Sequence, residues 1–333
     1  MRSVQCMAAA VAATLWAASA GATAPIDHVD NFALLDQAGK YHDLYYLSDA
    51  KAVVLMTHDD ECAAVSDALP ALEQAKASYA GRGVEFLMIN TQDDRDAVAA
   101  KVRSTSIPVL LDDTHLVSES LQLTHAGEVL VIDPKGWKIA YRGPLDKAKA
   151  GNALLTGALD SVLAGQPVKK AQVAARGCAV KVAKHTNVGA KVSYSEQIAP
   201  MLIDNCVTCH RTGGIGPWQM ANYDTIKGFA PMIREVVRTK RMPPWHADPH
   251  VGVWDGDRSL TTEEKQTLVH WIEAGAPRGK GPDPLAELHK TWSEWAFGKP
   301  DMVIEVPAFD IPASGIVDYK RYVVPNTLGR DVW

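Results

Sequence analysis

The hydrophobic rhythm of the chain changes along its length. In the first half, short solid apolar runs alternate with stretches whose apolar residues recur every three or four positions. Ala52-Val53-Val54-Leu55-Met56 is one such run, as expected of a strand buried on both faces. Ser66 to Tyr79 then places Leu69, Leu72, Ala75 and Tyr79 along one helical face. Val84 to Ile89 and Val109-Leu110-Leu111 predict further strands. Asp94 to Val102, His115 to Leu123 and Ala153 to Leu163 predict helices. Glu128 to Ile132 and Lys138 to Tyr141 flank Asp133-Pro134-Lys135-Gly136, a turn signal, and predict a hairpin. Strands alternating with helices predict an α/β layered domain over residues 25–163.

Residues 164–191 are rich in Lys, Ala, Gly and Val without periodicity and read as a linker, with Cys178 a candidate anchor. Residues 192–280 form the next piece, with a helical stretch read near each end. Ser195 is a candidate cap for a helix in which Ile198, Met201 and Leu202 share a face and which runs into Cys206. Thr261-Thr262-Glu263-Glu264 is a capping box. Leu268, Trp271 and Ile272 follow as an apolar stripe, and Gly275 and Pro277 stop that helix. Residues 281–333 hold two strand-like runs, Met302 to Val306 and Tyr319 to Val324, and no complete core, which predicts a short β-rich stub.

The start of the chain reads as a leader. Arg2 precedes an apolar, Ala-rich stretch from Met7 to Ala20, and Ala22-Thr23-Ala24 or Ala18-Ser19-Ala20 offers a cleavage site. The alternative is a membrane anchor, but the run is short against the ~20 residues of a span. Residues 1–24 are therefore assigned as a signal peptide, and no other stretch approaches membrane-spanning length. A formal net charge of -5 without a basic run argues against nucleic acid as a partner. Beyond the leader, Cys62, Cys178, Cys206 and Cys209 are too few for a disulfide scaffold, so each requires its own explanation.

Cys206-Val207-Thr208-Cys209-His210 is the sharpest chemical signal. A CxxCH run attaches c-type haem: two thiols add to the porphyrin vinyl groups and the adjacent His reaches the iron. A zinc site built on Cys206 and Cys209 would want a second ligand pair, and no second CxxC occurs. A thioredoxin-type redox pair would follow a buried strand, whereas this motif ends a helical stretch. The candidate sixth iron ligand is Met242, before Pro243-Pro244-Trp245-His246, whose prolines hold a non-helical loop. His246 is the rival; Met220, Met232 and His250 are weaker candidates. In Gly213-Gly214-Ile215-Gly216-Pro217-Trp218 the glycines permit close backbone approach, and Pro217 and Trp218 are candidates to pack on the porphyrin; an ordinary Gly-rich loop is the alternative.

Together with Tyr194 to Pro200, Arg241-Met242-Pro243-Pro244-Trp245-His246-Ala247-Asp248 and Trp271 to Pro277, the motif resembles the planctomycete-type cytochrome c domain of bacterial multidomain redox proteins. The resemblance spans about residues 192–280 and implies an all-α cytochrome c domain with one covalent haem c. In that family a redoxin-like domain often precedes the cytochrome and a copper type II, ascorbate-dependent monooxygenase-like domain often follows. Residues 296–333 resemble the opening of the latter; no His follows His289, so its copper ligands would lie beyond this chain. Residues 27–163 resemble the thioredoxin-like fold, in its redoxin and peroxiredoxin-like branch. The resemblance places Cys62 at the reactive-thiol position. Three features depart from it: Val65 replaces a resolving Cys, Asp59 replaces the peroxidase Thr, and no Pro stands in Leu123-Thr124-His125-Ala126 before the Glu128 strand. Asp59, Asp60 and Glu61 also oppose a thiolate. Cys62 is thus a catalytic candidate, a buried spectator thiol, or a partner of Cys178. The implied function is a periplasmic electron carrier working with a redox partner protein; a thiol-dependent oxidoreductase or peroxidase coupled to the haem, or the electron-donor portion of a copper monooxygenase, is the alternative.

Overall fold

The solid apolar run becomes the middle of a five-stranded sheet. In the computed structural model, which describes residues 26–91, 98, 105–145, 153–180, 189–293, 295, 298–311, 314–315 and 317–330, a small hairpin of β1 (Ala33–Leu35) and β2 (Tyr41–Asp43) precedes it. Strand β3 (Ala52–His58) is buried along its whole length. After α1 (Ala63–Tyr79), β3 pairs in parallel with β4 (Val84–Asn90), and β4 with β5 (Val109–Leu111). Beyond the short α2 (Leu116–Ser120), the hairpin of β6 (Glu128–Asp133) and β7 (Lys138–Pro144) adds antiparallel to the other side of β3. The order is β5-β4-β3-β6-β7. Helix α3 (Ala153–Leu163) has the predicted bounds. The predicted leader, and the predicted helix Asp94 to Val102 apart from Val98, lie outside the described residues.

Alternation of side chains lets β3 feed two cores. Ala52, Val54 and Met56 pack with Leu72 of α1 and Leu155 of α3; Val53 and Leu55 pack with Leu34 of β1 and Val117 of α2. This double burial is why the strand carries no alternation in sequence. Helix α1 starts three residues before the predicted Ser66, with Cys62 as its N-cap in extended backbone.

The described residues 164–180 of the stretch read as a linker do not run free. Arg142 N donates to Ala171 O at 2.8 Å and Val173 N to Arg142 O at 2.9 Å, which lays it along β7. Further on, Ala126 N donates to Cys178 O at 2.8 Å and Val180 N to Thr124 O at 3.0 Å.

Residues 189–287 contain only helical elements among the described residues. A π-turn, Tyr194–Ile198, runs into α4 (Ala199–Asn205); α5 (Tyr223–Arg238) and α6 (Thr262–Glu273) follow. Ser193, not the predicted Ser195, caps the first of these by accepting from Glu196 N at 3.2 Å, because Ser195 Oγ instead donates to Pro282 O at 2.6 Å. The Thr261 capping box forms as predicted. Tyr194 stacks on Trp271 of α6 at 6.0 Å and meets Tyr223 of α5 edge-on at 5.1 Å, so the first and last helical segments share a core. Asp283 ties the end of this region down, accepting from Tyr194 Oη at 2.7 Å and Tyr223 N at 2.8 Å.

This helical region docks on the sheet domain. Tyr41 Oη donates to Thr239 O at 2.9 Å, Gln266 Nε2 to Thr114 O at 2.8 Å, and His270 Nε2 lies 2.6 Å from Glu119 Oε2. The chain divides into two compact units, Met1–Glu287 and Leu288–Trp333. The second corrects the expectation of a β-rich stub: no strand occurs among its described residues, and Met302 to Val306 and Tyr319 to Val324 are irregular. A strand needs a neighbour to take its backbone hydrogen bonds, and Val303 and Val323 stand exposed without one among the described residues. Among the described residues no helix is long and apolar enough to cross a membrane.

Candidate functional site

The CxxCH motif sits where α4 ends. Cys206 is the C-cap of that helix, and its carbonyl accepts from Cys209 N at 3.1 Å and His210 N at 3.0 Å, a tight turn that sets the His just past the second Cys. Cys206 and Cys209 are both free and partly buried. Burial, with Glu264 and Cys209 adding, pushes the Cys206 thiol up to about 12, which keeps it protonated near neutrality and unlike the thiolate of a redox CxxC pair. His210 is buried, and its Nδ1 lies 3.0 Å from Trp218 O. A carbonyl only accepts, so Nδ1 carries the proton and Nε2 keeps its lone pair for a metal.

The Gly-rich loop makes that contact geometrically possible. A Cβ on Gly216 would stand 2.8 Å from His210 Nδ1 and 2.9 Å from Cys209 O. The loop returns through Gly216 N to Cys209 O at 2.8 Å and Met220 N to His210 O at 2.9 Å. Trp218 stacks on Phe229 of α5 at 4.1 Å, while Pro217 is exposed. Free thiols, a buried imidazole with an available Nε2 and a glycine cradle fit covalent haem attachment. Met242 is 39% exposed and lines a cavity of about 430 Å³ that also takes in Pro243 and Trp245. His246 and Met232 are exposed and Met220 is buried.

Cys62 and Cys178 form a disulfide with 5.8 Å between their Cα atoms. Cys62 is buried at the start of α1, and Cys178 is exposed. Cys178 N also donates to Cys62 Sγ at 3.2 Å. The approach is close: a Cβ on Gly177 would lie 2.0 Å from Ala126 O. Asp59, Asp60 and Glu61 do lead into Cys62. Asp60 pairs with His58 Nε2 at 3.6 Å, and Asp59 Oδ1 accepts from Glu61 N at 2.9 Å.

Residues 25–142 match the AhpC/TSA family. This part of the chain is a thioredoxin-like redoxin domain. Among solved structures, a hypothetical protein from Sinorhizobium meliloti 1021 is 25% identical, covering 49% of this chain and 97% of its own, with a TM-score of 0.44. An uncharacterized conserved protein from Geobacillus kaustophilus is also 25% identical, covering 48% and 94%, with a TM-score of 0.43. A putative thiol:disulfide interchange protein DsbE from Chlorobium tepidum is 16% identical, covering 41% and 96%, with a TM-score of 0.37. No curated protein matches.

The redoxin domain thus supplies one sulfur of the disulfide from inside the matched region, and Cys178 supplies the other from outside it. The pairing is the piece sequence reasoning left open. Its signal was that two cysteines remained once the CxxCH motif was set aside. The backbone pairing of residues 178–180 with 124–126 carried no sequence signal, because the partner segments lack strand periodicity.

Proposed function

We propose that the chain is an exported, periplasmic electron carrier holding one haem c on Cys206 and Cys209, with His210 as an iron ligand and the redoxin domain docked beside it. The observation that carries this reading is the committed imidazole: its Nδ1 proton goes to Trp218 O, next to two unbridged thiols at the end of a helix. When bound, the haem supplies a one-electron couple. The chain's own part is to hold the imidazole tautomer, aim the ring and wall it from water. Met242 is the proposed sixth ligand, with His246 as its rival; Met/His ligation raises the potential relative to bis-His. The partner is a redox protein of unassigned identity, and residues 296–333 remain a proposed opening of a monooxygenase-like region. The test is a reduced visible spectrum followed by acid–acetone extraction of the exported protein. A sharp c-type α-band with haem retained in the protein pellet is expected; extraction of all haem would reject the reading.

The disulfide favours a second reading, thiol–disulfide exchange. An incoming thiolate would reach the exposed Cys178 sulfur first, forming a mixed disulfide there and releasing Cys62 as the leaving thiolate at a helix N-terminus. A second thiol then releases the oxidised dithiol product and leaves Cys178 reduced, two electrons in all. Loss of dithiol-dependent turnover in Cys62→Ser is expected on this reading, and unchanged turnover would remove it.

A further inference from the structure

The cavity beside Met242 lies between the redoxin domain and the helical region, and it carries more charge than its apolar walls explain. Leu34, Leu116 and Val117 form one wall and Val237, Trp245 and Leu260 the other. Arg238, Lys240 and Lys265 also line it, against a single carboxylate, Asp113, which is itself paired with His250 at 3.3 Å. Neither lysine forms a direct ion pair among the described residues, although Asp113 attracts both, with Asp248 and Asp112 acting on Lys240 and Asp257 and Glu264 on Lys265.

Arg238 is the decisive group. Its side chain is 2% exposed. Nη2 donates to Ser120 Oγ at 2.8 Å, and Nη1 stands 3.7 Å from Asp30 Oδ2. Nε and Nη1 have no hydrogen-bond partner. A buried guanidinium whose Nε and Nη1 make no hydrogen bond, with the long Asp30 ion pair as its partial compensation, is costly, and its planar fork matches a carboxylate. Pockets of this type, mostly apolar with a few convergent polar groups, form preferentially between domains.

We propose that this interdomain cavity binds a carboxylate carried on an apolar body, anchored by Arg238 with Lys240 and Lys265. Two sources share that chemistry: a free aromatic or aliphatic carboxylate, and the propionates of the haem attached at Cys206 and Cys209. The second source rests on the haem reading above; the first does not.

The experiment uses the full exported chain. Calorimetric titration with 3-phenylpropionate is compared with 3-phenylpropanol, which has the same apolar body and no charge. The haem midpoint potential is measured in parallel for the wild type, Lys265→Gln and Arg238→Lys. Saturable binding of the acid and not the alcohol, weakened about tenfold by Lys265→Gln, identifies a free carboxylate. No binding of the acid, together with a lower midpoint potential in Lys265→Gln, identifies the propionates. Lys265→Gln keeps the proposal testable should Arg238→Lys fail to fold. Equal binding of acid and alcohol, or no binding with an unchanged potential in both variants, overturns the site. If mass spectrometry finds no attached haem, the haem reading fails while the calorimetric arm still decides the cavity.

Discussion

Two pairs of cysteines sit in one compact unit and are treated in opposite ways. Cys62 and Cys178 are separated by 116 residues, come from a helix start and an irregular strap, and are bonded to each other. Cys206 and Cys209 are close neighbours in one helix-ending turn, and both are free. The distant pair closes a long loop and so constrains the unfolded chain strongly. The near pair would close almost nothing by bonding, and its value lies in presenting two thiols in fixed order ahead of a buried His. The two sulfur pairs of this chain therefore divide by what each can do for the fold.

The comparison can be broken at several points. The largest effect belongs to the near pair: Cys206→Ser with Cys209→Ser should abolish covalent haem entirely, read as loss of the haem mass from the intact chain, while leaving the Cys62–Cys178 bond in place. Retained covalent haem would end the assignment. Next, Cys62→Ser with Cys178→Ser should cost about 2–4 kcal/mol in urea unfolding without altering haem content. An unchanged midpoint would mean that the strap along residues 124–126 holds without its sulfur bond. Gly216→Ala is smaller and more local. The new Cβ meets a ring and a backbone carbonyl that cannot swing away, so about 1–3 kcal/mol and a loosened His210–Trp218 bond are expected, visible as a shifted haem spectrum.

The smallest effect concerns acid. Burial alone would raise the Asp283 carboxyl, but bonds from Tyr194 Oη and from the backbone N–H groups of Tyr223, Ala286 and Leu285 outweigh it and hold the group below the usual carboxylate range. A carboxyl lowered in the folded state contributes stability above the ordinary carboxylate range and loses it as pH falls through the folded value. Asp283→Asn should therefore cost about 1 kcal/mol at neutral pH and flatten the acid limb of the stability profile of the helical region. An acid limb identical to that of the wild type would show that other carboxylates govern it.

Much of this molecule could be read from its residues, and the failures share a physical cause. The buried strand at Ala52, the hairpin around Asp133-Pro134, helix Ala153–Leu163 and the Thr261 capping box are local signals, and each forms where its residues place it. Helix α5 was missed although Tyr223, Ile226, Ala230, Ile233 and Val237 recur at helical spacing, because Gly228 and Pro231 interrupt the pattern. Ser195 lost the cap to Ser193 because its hydroxyl is claimed by Pro282, 87 residues away. The strands expected after residue 300 had suitable residues and no pairing neighbour among the described residues. The CxxCH turn was legible because both thiols and the imidazole lie within five residues. The Trp218 carbonyl that fixes its imidazole, and the strap that carries Cys178 to Cys62, depend on contacts between segments and leave no trace in spacing.

Haem attachment depends on the near pair, and one measurement reaches it directly. The full chain is alkylated with and without prior reduction, and intact and peptide masses are recorded. The expected result is one haem mass on the peptide carrying Cys206 and Cys209, both refractory to alkylation throughout, with Cys62 and Cys178 alkylated only after reduction. Alkylation of Cys206 and Cys209 without reductant, with no porphyrin mass anywhere on the chain, would contradict it.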